Sequence, residues 1–203
     1  MITAVIPAYN EAPRIQNVIA EALTFADEVL VLDDGSEDET ALVSEKAGAF
    51  VIQLPHRGYV HALTCGFHAA KGDIIVTLDA DGEHDPSEIP RMIAPIEKGE
   101  ADLVLGSRRH IASISERLMR IVVNVRVDVR DHGSGFRALK RELAVSLKLK
   151  GKCTCGVFVL EAASKGAKIA EIPITLREVT KKRKRKLIHI VQIVYVLIEA
   201  VRF

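Results

Sequence analysis

The first half of the chain alternates between short apolar runs and longer amphipathic stretches. Nearly continuous, β-branched runs fall at 2–6, 29–32, 50–54, 74–78 and 103–105, and helical periodicity covers 12–25, 38–47, 59–71 and 87–98. Runs that are apolar at every position, not at every second one, predict strands covered on both faces. The expected fold class is therefore α/β: a doubly wound, mostly parallel sheet whose ligand lies outside the carboxyl ends of the strands. Beyond residue 106 the pattern loosens. A helix over 113–125, a loop over 131–136, helices near 140–149 and 156–165, and a strand over 168–175 are expected. There is no internal repeat, and the one low-complexity stretch is the basic run 181–186.

The polar residues follow the same rhythm. Pro7-Ala8-Tyr9-Asn10-Glu11 ends the first strand, Asp33-Asp34-Gly35-Ser36 the second, and Asp79-Ala80-Asp81-Gly82-Glu83-His84-Asp85 the fourth. Clusters placed where successive parallel strands stop converge on one edge of the sheet. The last of them puts four carboxylates within seven residues. Such a group repels itself unless a cation or a network of donors neutralises it. Hard oxygen ligands suit Mg²⁺ or Mn²⁺, with few protein ligands and the remainder from water and phosphate. The alternative is a solvated acidic turn in which Asp85 and Ser87 cap the helix after Pro86.

Composition narrows the class. The 203 residues, with 48% apolar and 27% charged side chains, suit one domain with a substantial core and exclude wholesale disorder. Cys65, Cys153 and Cys155 are too few and too poorly spaced for a disulfide framework, a redox pair or a zinc site. Met1 leads into a strand-like segment with no basic, apolar leader, so a cytoplasmic location is expected. Charge is uneven: residues 177–203 hold eight Lys/Arg against two Asp/Glu, a charge of +6, which leaves −5 on residues 1–176 of the total +1.

Taken in order, the motifs resemble the family-two inverting glycosyltransferases, and most closely the polyprenyl-phosphate sugar synthases such as dolichol-phosphate mannose synthase. The matching blocks are Val5–Glu11, Val31–Thr40, Gly58 with Ala62-Leu63 and Gly66, Ala70-Lys71-Gly72-Asp73, and Leu78-Asp79-Ala80-Asp81 as the metal-binding D-x-D. Gly106-Ser107-Arg108, Asp131 with Ser134-Gly135-Phe136-Arg137-Ala138, and Glu171-Ile172-Pro173-Ile174 complete the series. The resemblance implies a GT-A type domain over 1–176, followed by a basic segment and amphipathic helix over 177–203. It implies binding of a GDP- or UDP-hexose. Pro7, Tyr9, Glu11, Leu32 and Asp34 fall on the base and ribose positions, and Asp79 and the backbone of Ala80 lie along the nucleotide. Ser134 and Arg137 are further donor-binding candidates. Asp79, Asp81 and Glu83 are the metal candidates, with Glu83 where many relatives have Gln. Arg108, Arg117, Arg130 and Arg137 are the candidates for holding phosphate; Arg130 matches the family's phosphate-binding arrangement and is favoured, and Arg117 is the weaker one.

A divalent cation acting as a Lewis acid assists departure of the diphosphate, and direct displacement inverts the anomeric carbon. A hydroxyl acceptor needs a general base, whereas a lipid monophosphate is already ionised. Asp81, Arg130 and Asp131 are the catalytic candidates, and Glu161 is the other possible base. Residues 187–203 are apolar at 13 of 17 positions, with His189, Gln192, Glu199 and Arg202 on one arc. As a helix they span about 25 Å, short of a hydrocarbon core of about 30 Å. Behind six consecutive basic residues, this segment is expected to lie on an anionic membrane surface, holding the protein peripherally at the cytoplasmic face. The alternative is a core or dimer-interface helix. Aromatics at 4% and no recognition motif argue against nucleic acid. Two features depart from the relatives: Val179 replaces an Arg and Lys182–Arg185 replaces Gly-x-Ser-Lys, and the segment between Arg109 and Asp131 is shorter. The rival readings are a same-fold transferase with a hydroxyl acceptor, a nucleotidyltransferase, and a non-catalytic metal-binding scaffold.

Overall fold

A computed structural model of the chain describes residues 1–109, 114–179 and 186–202. The strands are β1 (Ile2–Ala8), β2 (Glu28–Asp33), β3 (Phe50–Gln53), β4 (Ile74–Thr77), β5 (Leu103–Arg108), β6 (Arg137–Lys140) and β7 (Ile169–Ile174). They form one sheet in the order β3-β2-β1-β4-β6-β5-β7. All run parallel except β6, which pairs antiparallel with both β4 and β5. The helices are α1 (Ala12–Ala22), α2 (Thr40–Lys46), α3 (Tyr59–Ala69), α4 (Ile89–Glu97), α5 (Ile114–Asn124), α6 (Arg141–Ser146), α7 (Val157–Ser164) and α8 (Lys186–Arg202).

Helices cover both faces, as runs of uninterrupted apolar residues require. One core joins Val5, Leu32 and Leu105 to α3, α5, α7 and α8, and the other joins Ile6, Val31 and Val104 to α1 and α4. The doubly wound sheet agrees with the sequence pattern, and so do the helices to within a few residues. β6 is the exception. Arg-Ala-Leu-Lys has no strand signature, and it becomes a strand because Thr77 and Leu105 flank Arg137 on opposite sides. The acidic turn after β4 also acts as a cap. Asp85 accepts from the Ser87 N–H at 3.0 Å and begins a 3₁₀ turn over Pro86–Glu88 that leads into α4.

α3 lies very close to the sheet beneath the site. A Cβ on Gly66 would stand 2.5 Å from Val5 Cγ1 and 2.7 Å from Leu32 Cδ2. Gly66→Ala is therefore expected to lower the thermal unfolding midpoint. Overpacking costs about 1–3 kcal/mol, more than the gain of about 1 kcal/mol in helix propensity.

Candidate active site

The loops after β1 and β2 are sewn together at the carboxyl edge. Asp33 accepts from the backbone and hydroxyl of Ser36, and the Ser36 hydroxyl accepts from Asn10 N–H at 2.9 Å. Asn10 Oδ1 accepts from Glu37 N–H at 2.8 Å, and Thr40 Oγ1 from Glu11 N–H at 2.9 Å. Asp38 accepts from Ala12 N–H at the start of α1. Glu11 itself pairs with Arg14 at 2.7 Å. Asp34 is buried, and its oxygens accept from the Arg57 and Gly58 N–H groups at 2.9 and 2.8 Å, with His56 Nδ1 at 3.0 Å. Its main action is to draw the loop before α3 inward. That loop sets the His56 ring against Tyr9, centroids 4.3 Å apart, and Tyr9 stays 40% exposed. The result is a two-ring platform at the mouth of the edge. Pro7 is buried beside Leu32 in the β1–β2 ladder.

Leu32, expected among the donor-binding residues, contributes no side chain to this edge. Its side chain is fully buried against α3, so it can present no more than backbone to a ligand.

The D-x-D loop comes after β4. The buried ring of His84 accepts the Asp79 N–H through Nδ1 at 3.1 Å and holds Nε2 4.0 Å from Asp79 Oδ2, packed on Phe136. From the other side the Tyr59 hydroxyl approaches Asp79 Oδ1 at 3.5 Å. Burial, reinforced by the charge of Asp79, raises the Tyr59 hydroxyl above the ordinary tyrosine range, so it stays protonated as a donor. Gly135 lies directly against the carboxylate: a Cβ there would sit 2.7 Å from both Asp79 oxygens. Ala80 and Asp81 are buried, and Asp81 Oδ1 accepts from Glu83 N–H at 3.0 Å. Among the described residues, no three His, Cys, Asp or Glu side chains converge into a complete metal site. The all-oxygen set of Asp81, Glu83 and neighbouring Asp79 nevertheless suits a hard divalent cation that takes its remaining ligands from phosphate and water.

The chain beyond β7 straps this loop. His84 and Leu176 form an antiparallel bridge, and Arg177 donates its N–H to Glu83 O at 2.8 Å. The Arg177 guanidinium spans Asp85 at 2.9 Å and Glu21 at 2.7 Å. Val179 is partly buried, and residues 180–185, including Lys182 and Arg185, lie outside the described residues.

The far side of the edge is built around Asp131, expected among the catalytic residues. Asp131 is 1% exposed, and Arg108 grips it through Nε at 2.6 Å and Nη2 at 2.8 Å while the Arg108 and Gly133 N–H groups also donate to it. Burial alone would raise its carboxyl, but the Arg108 contacts hold it below the usual aspartate range. A carboxylate so engaged serves as a strut in this arrangement. Glu161, the other base considered, is tied to the Lys148 N–H and to Lys165. Ser134 is buried, its hydroxyl accepting from Phe136 N–H at 3.3 Å. Arg137, expected to face the donor, is instead 1% exposed, stacked on Phe158 and bonded to Thr154. Arg130 is exposed, and its backbone N–H is held by Glu171. His56, Tyr59, His84 and Arg177 join the edge without any sequence signal. None stands in a spacing that points to chemistry, and each is placed by packing or bonding to residues far away in sequence.

Residues 3–155 match the glycosyl transferase family 2 model. An undecaprenyl-phosphate 4-deoxy-4-formamido-L-arabinose transferase of Shewanella sediminis is 31% identical over 166 residues, 72% of this chain and 50% of that protein. A dolichol-phosphate mannosyltransferase of Pyrococcus furiosus is 27% identical over 199 residues, 86% of this chain and 56% of that one. The chain thus spans about half the length of the curated relatives it matches. Among solved structures, glucosyl-3-phosphoglycerate synthase from Mycobacterium tuberculosis, in complex with Mn²⁺, UDP-glucose and phosphoglyceric acid, superposes with a TM-score of 0.83. It is 26% identical, and the match covers 100% of this chain and 80% of that one.

Gly135→Ala is expected to displace the Asp79 carboxylate and weaken Mn²⁺ binding severalfold, read by electron paramagnetic resonance, with the fold retained. Asp131 gives a second expectation, on pH. Its folded value is depressed, so its stabilisation is present above the unfolded aspartate range near ~4 and is lost as pH falls through the folded value. Asp131→Asn should flatten the acid limb of a plot of melting temperature against pH.

Proposed function

The chain belongs to glycosyl transferase family 2, and on that premise we propose that it is a metal-assisted, inverting hexosyltransferase. It moves a sugar from a GDP- or UDP-hexose to a polyprenyl phosphate of the dolichyl type. The observation that carries this reading is the meeting of the Tyr9–His56 platform, the loop ordered by Asp34, and the Asp79–Glu83 loop on one edge of the sheet.

In this reading the nucleobase lies on Tyr9 and His56, with Pro7 and Glu11 beside the ribose. Asp34 acts on the pocket through the backbone it holds. Asp79 and the Ala80 main chain follow the nucleotide toward its diphosphate. Asp81 and Glu83, with Asp79 alongside, would hold a Mg²⁺ or Mn²⁺ ion, which would supply charge stabilisation to the departing diphosphate. The chain's own part is to keep those oxygens in place. The Asp81–Glu83 bond, the Arg177 strap and the His84 and Tyr59 contacts to Asp79 serve this end. Ser134 orders the turn that brings Gly135 to Asp79, and Arg137 supports the same wall from inside. Arg130 is the exposed cation assigned to phosphate.

The engagement of Asp131 by Arg108 supports the choice of acceptor. A phosphate monoester attacks already ionised, so its oxygen needs no base, and neither carboxylate considered as one has a free role here. The names of the two curated relatives point the same way. On this reading the enzyme works at the cytoplasmic face of a membrane, held peripherally. A second reading, transfer to a hydroxyl of a small anionic acceptor, is favoured by the likeness to the synthase that holds phosphoglyceric acid.

Calorimetry against GDP- and UDP-sugars, with and without Mn²⁺, tests the donor half. One donor should bind more tightly with Mn²⁺, and Asp81→Asn should weaken that binding by about tenfold or more. Indifference to every donor would remove the reading. Offering a polyprenyl phosphate, phosphoglyceric acid and free sugars as acceptors separates the two readings of the second half.

A further inference from the structure

α8 is folded inside out. Gln192 and Glu199, two of its few polar residues, are buried, while Val191, Val194, Leu197, Ile198 and Val201 are exposed. At about 100° per residue the exposed set occupies the arc opposite Val196, which is fully buried. The inward polar groups are fully used. Gln192 Oε1 accepts from the Lys152 and Cys153 N–H groups at 3.2 and 3.3 Å, and its amide donates to Cys155 O at 3.4 Å. Glu199 binds Lys150 and Arg202. The orientation is thus locked by hydrogen bonds and ion pairs, and the helix has no freedom to turn its apolar face inward.

α5 repeats the pattern beside it. Leu118 and Ile121, with Val125 just past its end, are exposed at spacings of three and four, and Met119 and Val123 are buried. The two helices are joined: Arg126 Nε donates to Ala200 O at 2.9 Å, and Val123 and Val196 both close on Gly156. Of the thirteen large apolar side chains exposed among the described residues, seven belong to this pair and an eighth, Val125, directly follows α5. That concentration exceeds scattered surface exposure and marks an interaction face.

Charge decides what covers it. Residues 181–186 are six consecutive Lys/Arg, the last of which opens α8, and Arg117 and Arg120 lie on α5. Two copies meeting through α5 and α8 would each carry this excess of positive charge, which disfavours a symmetric dimer. A bilayer with anionic headgroups accepts both the apolar stripes and the positive charge. No described helix is long and apolar enough to cross a membrane, so the contact is parallel to the surface. α5 also starts at the site: Glu116 in its first turn stands 3.7 Å from Arg108, the partner of Asp131.

We propose that the outer faces of α5 and α8 together form a docking surface for an anionic phospholipid bilayer, which sets the acceptor side of the site against the headgroups. The inference deepens the lipid-phosphate reading and rests on it. The test uses the full chain and sedimentation with phosphatidylcholine vesicles, with and without phosphatidylglycerol. Binding should rise about tenfold with the anionic lipid. Ile198→Asp on α8 and Ile121→Asp on α5 should each reduce it severalfold, with melting temperature and nucleotide-sugar binding unchanged. Equal partitioning of the wild-type chain and the Ile121→Asp variant would overturn the two-helix face. So would a concentration-dependent dimer that both substitutions dissolve. Failure to bind vesicles together with intact transfer to a short, water-soluble isoprenyl phosphate would overturn this inference and leave the proposed reaction standing; loss of donor binding would overturn that reaction instead.

Discussion

Negative charge gathered at one edge of a sheet has to be held, and the way it is held shapes this molecule. Asp33, Asp34, Asp79, Asp81 and Asp131 all stand at or beside the carboxyl ends of strands, and four of the five are buried. Each carboxylate is satisfied by a different means: Ser36 for Asp33, two backbone amides for Asp34, Tyr59 near Asp79, the Glu83 amide for Asp81 and Arg108 for Asp131. Desolvating a carboxylate without such partners costs several kcal/mol, on the order of a domain's whole net stability. The loops therefore have little choice of conformation, because each must deliver its donors. An edge that carries both the Tyr9–His56 pair and the Asp79–Glu83 loop results from that necessity.

The antiparallel strand β6 is the second constraint. Inserted between β4 and β5, it brings the 131–136 turn back across the carboxyl edge, where Thr77 Oγ1 donates to Gly135 O at 2.6 Å. This return places Gly135 against Asp79 and Asp131 against Arg108, joining two ends of the site that are far apart in sequence. It also takes Arg137 out of the cleft. A side chain at that register points into the layer between the sheet and α7, where the guanidinium rests on Phe158. Motif position and side-chain direction are separate facts, and the sheet register decides the second.

α8 links the periphery to this centre. Its buried amide and carboxylate hold the 150–155 loop, and Thr154 in that loop is the hydrogen-bond partner of Arg137. The exposed side of the same helix is apolar. One element thus serves as a polar brace inward and an apolar face outward, the reverse of an ordinary surface helix, and it packs beside α5, whose first turn reaches Arg108.

The sequence alone was enough for the doubly wound sheet, the strand ends that carry the polar clusters and the helical tail, because these depend on local periodicity and on short-range placement after each apolar run. It was also enough for Asp85 as a cap, a contact across two residues. Tertiary structure alone decided that Asp131 is gripped by Arg108, that Leu32 and Arg137 face inward, that His56, Tyr59 and His84 serve the edge, and which side of α8 is buried. Each of those outcomes depends on a partner 20 or more residues away or on which face of a strand or helix meets the core, and no local pattern carries that information. His84 shows the limit most simply: it lies five residues from Asp79, yet its role required the turn to close and Phe136 to arrive from the far side of the sheet edge.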